Sequence, residues 1–254
     1  MKYHSVEMLK VTLITAALTN AVFLLHFVDN TKLIFKRLNQ DARNNEERGF
    51  EVDIHSRAAL AGLSTKIIAV SEQYRLQEYI GGQSLEGALV DKALLKLLAA
   101  QFQRIHFLPA NVAMPQRLVF ELTRLADQLG AKQISINQNE FTPFIQLAKQ
   151  LDERSAKDTL CHGDLSLNNV IKTEAGEIKI IDWEYGVAAC PAYDLAFCNG
   201  INEFSEQDQI ILIEAYYLLH SKTLPCTLTE LHTECKQYLS LFTYINKLWA
   251  NCFI

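Results

Sequence analysis

The chain has 254 residues, 49% of them hydrophobic and 21% charged, with a formal net charge of -5. That length allows one large or two small domains with a full core. The acidic balance argues against a nucleic-acid partner, whose footprint would be basic.

Residues 1–10 are expected to form a short lead-in helix. Residues 11–28 then carry no charged side chain, so a membrane span or signal peptide is the rival reading. Thr12, Thr15, Thr19, Asn20 and His26 interrupt the run, and Glu7 and Lys10 give it a mixed flank. Two strands joined by a small-residue turn explain it better, with no membrane association. Asp29-Asn30 makes the next turn, and residues 32–38 (KLIFKRL) a third strand. Alternation there puts Lys36 and Arg37 on opposite faces. Residues 44–60 read as a helix with Phe50, Ile54, Ala58 and Ala61 on one apolar face, Glu47 and Glu51 one turn apart, and Gly62 as the stop. Residues 66–70 and 75–80 are two more strands, and Gly81-Gly82 mark a linker.

The character then switches to helix. Leu94, Leu98, Phe102 and Ile105 form a stripe that ends at His106 and Pro109, and residues 119–129 and 141–151 are two further amphipathic helices. Beyond a polar hairpin at 160–190, helices are expected at 191–199, 206–220 and 228–249. On the last, Leu231, Cys235, Tyr238, Phe242, Ile245 and Trp249 share one stripe, read first as core. Six cysteines show no CxxC pair and no zinc-type grouping with the seven histidines. Buried free thiols in a reducing cytoplasm are expected, and a zinc enzyme is not.

The stretch from 160 to 194, LCHGDLSLNNVIKTEAGEIKIIDWEYGVAACPAYD, carries the chemistry. It reads as strand, polar loop, strand, turn and strand, with Asp164, Asn169 five residues on, and Asp182 at a strand end. Phosphoryl transfer needs a carboxylate to receive the acceptor's proton, and hard oxygen ligands for Mg²⁺ on the phosphates. Asp164 suits the first role; Asn169 and Asp182 suit the second. The pattern HxDxxxxN followed by a strand ending in Asp resembles the protein-kinase-like superfamily. CHGDLSLNN, IDWEYG and PAYDLAF resemble, more narrowly, the aminoglycoside phosphotransferase, choline kinase and thiamine kinase group.

That resemblance implies an α+β, two-lobe fold: a small N-terminal antiparallel sheet lobe (residues 1–80) and a larger, mostly helical C-terminal lobe (81–254), with ATP in the cleft. It implies that Thr19 and Asn20 end a turn over the phosphates, although alanines 16 and 17 stand where the family has glycines. Lys36 or Arg37 would bind the phosphates, with Lys36 preferred, and Glu51 would pair with that cation. Glu78, Tyr79 and Ile80 would meet adenine through their backbone. Asp194 would brace the catalytic loop, with His106 structural beside it. Glu184 would touch a second metal or lie on the surface.

Gly163 stands where protein kinases carry an Arg, and only eleven residues separate Asp182 from Asp194. Both departures imply a small-molecule alcohol rather than a protein as acceptor. IDWEYG resembles thiamine and choline/ethanolamine kinases, which implies a cationic alcohol held by aromatic faces and carboxylates. Candidates are Tyr193, Tyr244 and Trp249, with Glu203 and Glu206 nearby; thiamine ranks slightly ahead of choline. An aminoglycoside acceptor is the nearer alternative, and a pseudokinase or nucleotide-binding module the more distant one. The sequence carries no signal of oligomeric state.

Overall fold

The structure, a computed structural model, describes residues 7–16, 20–39, 45–154, 158–220 and 224–253. In chain order its elements are β1 (Met8–Ala16), β2 (Asn20–Phe27), β3 (Lys32–Leu38), α1 (Asn45–Leu60), β4 (Ile67–Val70), β5 (Tyr74–Glu78) and β6 (Gly82–Ser84). Next come α2 (Lys92–His106), α3 (Leu118–Ala131), α4 (Gln138–Arg154), β7 (Thr159–Cys161), β8 (Val170–Thr173), β9 (Ile178–Ile180) and β10 (Val187–Ala189). The chain closes with α5 (Pro191–Ile201), α6 (Glu206–His220) and α7 (Leu228–Phe253). These elements fall into two compact units. One comprises the described residues through Leu85 together with Asn168–Glu184; the other comprises Glu86–Leu167 and the described residues from Tyr185 onward.

The first unit holds a five-stranded antiparallel sheet in the order β1-β2-β3-β5-β4. The apolar run that raised the membrane question is the β1–β2 hairpin. Among the described residues no helix is long and apolar enough to cross a membrane. The lead-in helix is not found where it can be tested. Met8 and Lys10 already pair with Phe27 and His26, because the apolar alternation of the strand extends back through them; residues 1–6 lie outside the described set. At the next turn Asn30 adopts φ 65°, and the Asp29 carboxylate accepts the Thr31 N–H, a local bond that Asp supplies readily. Rings of Phe23, Phe35 and Tyr74 line up across three strands, the cross-strand contacts that stabilise a sheet.

A smaller sheet, β6-β8-β9, belongs to the same unit. Gly82, expected in a linker, opens β6 and pairs with Thr173. A Cβ there would sit 2.4 Å from the Lys172 carbonyl oxygen, so close backbone approach, not flexibility, is what requires glycine at this position.

The second unit is mostly helical. Asp91 caps α2 by accepting from the Ala93 and Leu94 N–H groups, a contribution of about 1 kcal/mol. Leu95, Leu98, Phe102 and Ile105 of that helix are fully buried. Thr227 and Glu230 exchange hydrogen bonds at the start of α7, the reciprocal box that fixes a helix N-terminus. Along α7 the stripe runs through Leu231, Cys235, Tyr238, Leu241, Tyr244, Leu248 and Cys252. Trp249, expected on it, is 41% exposed. At 3.6 residues per turn the buried stripe has rotated past it by the last turns, and Leu248 and Cys252 take the inward positions.

Candidate active site

In the helical unit the loop after β7 carries His162, Gly163 and Asp164. Asp194, near the start of α5, accepts the His162 N–H at its Oδ2 and the Gly163 N–H at its Oδ1, both at 2.8 Å. His106, at the end of α2, donates from Nε2 to Asp194 Oδ2 (3.1 Å), and its Nδ1 accepts from the Tyr216 hydroxyl (2.7 Å). The Asp164 N–H donates to His162 Nδ1 (3.2 Å), which makes His162 an acceptor on that nitrogen. Asn202 clamps the far side of the loop, accepting the Leu167 N–H and donating to the Leu165 carbonyl. The backbone around Asp164 is therefore held on both flanks.

His106, Cys161 and Asp194 bring three potential metal-ligand atoms within 4.8 Å of one another. Their bonding is that of a brace. Asp194 is occupied by two amides and an imidazole, and the Cys161 thiol donates to the Cys190 carbonyl. Burial, with Asp194 second, pushes that thiol well above its ordinary range, so it stays protonated and is a poor ligand.

Gly163 has φ 76°, and a Cβ there would lie 2.2 Å from the Tyr185 carbonyl oxygen. The contact has a simple consequence: no side chain fits at this position, least of all the Arg that stands there in protein kinases.

In the sheet unit, Asn169 leads into β8 and Asp182 follows β9. The Ile181 N–H donates to the Asn169 carbonyl (3.0 Å), which ties the two loops together. Asp182 itself adopts φ 65°, a conformation costly for most residues and least so for Asn and Asp. Lys36, on β3, is buried, and its Nζ lies 2.7 Å from Asp182 Oδ1. Arg37 is exposed on the opposite face of the strand. Glu78, Tyr79 and Ile80 fall at the end of β5 and in the connection to β6. Thr19 lies outside the described residues.

Glu51 departs from expectation. It is expected to pair with the β3 cation, but its Oε1 receives Arg75 Nη1 at 2.5 Å, while Arg48 Nη1 is 3.5 Å from its Oε2. Lys36 acts on it only at longer range, through its charge. Burial alone would raise the Glu51 carboxyl; Arg75, with Lys36 and Arg48 behind it, holds it below its ordinary value. The reason is register: Arg75 sits directly opposite Lys36 in the β3–β5 ladder, so two cations share the face under α1, and Lys36 is engaged by Asp182.

Asn20 is buried, with Nδ2 donating to Glu184 Oε2 (2.9 Å) and Oδ1 accepting from Arg48 (3.4 Å). Glu184 is only 6% exposed, so it is not a surface carboxylate. Tyr193 packs edge-on against Tyr238 and Phe242 in the helical unit, and Tyr244 stacks on Phe144. Sequence reasoning missed Arg75, Arg48 and Asn202. The available signal was Arg75 and Gln77 on the same parity of a short strand, where apolar side chains belong if the face is dry.

Asn169, Asp182 and Glu184 all belong to one unit and offer only oxygen donors, a set that suits a hard cation such as Mg²⁺. The Ile181–Asn169 backbone bond holds two of the three side chains on neighbouring loops.

A family model described as choline/ethanolamine kinase matches residues 11–246. Ethanolamine kinase 2 of Rattus norvegicus is 24% identical over 178 residues, which cover 66% of this chain and 44% of the relative. Probable choline kinase 3 of Arabidopsis thaliana is 25% identical over 231 residues, covering 83% of this chain and 65% of the relative. The chain thus matches about half to two thirds of the length of these curated relatives. Among solved structures, that of the choline kinase LicA from Streptococcus pneumoniae superposes with a TM-score of 0.78 at 22% identity, covering 97% of this chain and 85% of that one. Because the family model runs from β1 into α7 and takes in the loops that carry Asp164, Asn169 and Asp182, the chain belongs to the choline/ethanolamine kinase family and has the protein-kinase-like fold.

Proposed function

We propose that this protein transfers the γ-phosphoryl group of ATP to the hydroxyl of a small cationic alcohol of the choline or ethanolamine type. The observation that carries the reading is the Lys36–Asp182 pair. It joins a cation of the kind that binds phosphate, on β3, to an oxygen donor of the kind that binds Mg²⁺, in the loop after β9, the two parts that phosphoryl transfer needs together.

In the proposed reaction the acceptor oxygen attacks the γ-phosphorus, the bond to the β-phosphate oxygen breaks, and ADP leaves. Asp164 takes the proton of the attacking hydroxyl, from a loop whose backbone Asp194 and Asn202 hold in place. Lys36 binds the phosphates, exchanging its pairing with Asp182 for one with the nucleotide. Asn169 and Asp182, with Glu184, would hold Mg²⁺, which supplies charge to offset that of the triphosphate. Tyr193 and Trp249 are the aromatic faces offered to the acceptor's cation. Thiamine ranks behind choline and ethanolamine because the family match names the latter two. A reducing, cytoplasmic setting goes with this reading, since the cysteines are free thiols and five of the six are buried.

A panel following ADP release with choline, ethanolamine, thiamine, kanamycin and homoserine tests the proposal. Turnover is expected with choline or ethanolamine. Strong turnover of an uncharged or acidic alcohol, with none of the cations, would sink the cation-pocket argument, and Mg²⁺–ATP binding without turnover of any alcohol would favour a nucleotide-binding module.

A further inference from the structure

The buried side of α1 carries Ile54 and Ala58, as a small domain requires, but also an unusual number of polar side chains. Arg48, Glu51 and His55 recur at the spacing that puts them on one side of α1, and all three are buried. Opposite them, β5 presents Arg75 and Gln77, also buried. The contacts run in sequence. Arg75 Nη1 donates to Glu51 Oε1; Arg48 Nη1 faces Glu51 Oε2 and donates to Asn20 Oδ1, while its Nη2 donates to the Asn39 carbonyl; Asn20 Nδ2 donates to Glu184 Oε2.

An amide has one donor end and one acceptor end. Arg48 can only donate, so it forces the oxygen of Asn20 toward itself and the NH₂ toward Glu184. A flipped amide would set NH₂ against guanidinium and C=O against carboxylate, two unfavourable contacts in a buried place. Arg48 also lies within ion-pair distance of Glu51, 3.5 Å from its Oε2 and without a hydrogen bond to it, and Glu51 accepts from Arg75 at its Oε1. Truncating one link removes an electrostatic support from the next, while Arg48 keeps its bond to the Asn39 carbonyl.

We infer that Arg75, Glu51, Arg48 and Asn20 form a buried relay that fixes the carboxylate of Glu184, making these four positioning residues for the oxygen donors beside Asp182. The inference rests on the reading of that donor set as the seat of Mg²⁺–ATP. It assigns Arg75 a role distinct from that of Lys36: Arg75 anchors α1, and Lys36 is left to Asp182 and the phosphates. It also ties the first residue of β2 to the loop after β9, so that the start of that strand and the donor set are held by one network.

The test is calorimetric titration of ATP into the full chain at graded Mg²⁺, with melting temperature recorded in parallel. Arg48→Met is expected to raise the Mg²⁺ midpoint about tenfold, the low end for removing an outer partner of a metal ligand. Arg48→Lys, which keeps a donor toward Asn20, should recover part of the loss. In a Glu184→Gln background Arg48→Met should add nothing. A lowered melting temperature with an unchanged Mg²⁺ midpoint would overturn the relay, as would an undiminished tenfold loss in the Glu184→Gln background. Should Arg48→Met not fold, Asn20→Ala removes a smaller side chain and carries the same expectations. A wild-type chain that binds no ATP in Mg²⁺ would overturn the kinase reading and the relay with it, whereas normal binding with unresponsive variants would overturn the relay alone.

Discussion

Gly163→Ala isolates the geometry on which the catalytic loop depends. The substitution adds a single methyl group, but at φ 76° and 2.2 Å from the Tyr185 carbonyl oxygen. Placing an L-residue in the left-handed region costs about 1–2 kcal/mol. Relieving the overlap requires backbone to move by about 1 Å, an overpacking cost of about 1–3 kcal/mol. The two together predict a loss of about 2–5 kcal/mol, read as a shift in the urea midpoint at constant slope. The displacement falls between His162 and Asp164, so turnover should fall further than stability alone explains, by about a hundredfold for a misplacement of about 1 Å. Gly200→Ala is the control: its Cβ would meet only the end of the Leu239 side chain, at 3.0 Å, and a flexible terminus can give way. Wild-type stability and turnover in Gly163→Ala would refute the argument that close approach to Tyr185 is what demands glycine.

Three further outcomes follow from the same geometry. Lys36→Met should raise the KM for ATP about tenfold to a hundredfold, the value of a charge-assisted hydrogen bond, whereas Arg37→Met, on the exposed face, should change it by about twofold or less; steady-state kinetics at varied ATP separate them. His55 is buried and its Nε2 lies 2.9 Å from the Thr65 carbonyl; burial first, and Arg75 second, bring its pKa down from 6.5 to about 4. The unfolded chain therefore binds the extra proton first, and the stability is complete above about pH 6.5 and lost as pH falls toward 4. Urea denaturation at pH 7.5 and 4.5 should show about 2–3 kcal/mol more acid loss in wild type than in His55→Gln, and equal losses would contradict the buried-neutral assignment. Asp194→Asn leaves the His162 and Gly163 amides one good acceptor between them, and a loss of about 1–3 kcal/mol with a fall in turnover is expected, checked by melting and ADP release.

The parts of this protein that could be read in advance are those written in local periodicity or in a dense motif. The alternation in KLIFKRL defined β3, Glu206–His220 was bounded by acids at one end and His at the other, and HGD, NN and DWEY lay close enough in the chain to be read together. Asp194 was legible for the same reason, since PAYD is part of that dense stretch. What escaped was decided by long-range packing. Arg75 looks in sequence like a solvated strand cation, and only the antiparallel register opposite Lys36 turns it under α1 to take Glu51. Asn202 looks like a helix-end residue, and its hold on Leu165 and Leu167 reaches 35 residues or more along the chain. Trp249 kept step with a stripe that the helix itself rotates away from over 26 residues.

The most direct test of the proposed chemistry is a single-turnover experiment with enzyme in excess of ATP, ethanolamine or choline as acceptor, and the phosphorylated alcohol measured by mass spectrometry, for wild type and Asp164→Asn. Wild type is predicted to form the phosphoalcohol, and Asp164→Asn to bind Mg²⁺–ATP with near wild-type affinity yet form product about 10²–10⁴-fold more slowly, the worth of a positioned general base. Equal rates in the two proteins would contradict the assignment of Asp164, and no phosphoalcohol from wild type would contradict the kinase reading itself.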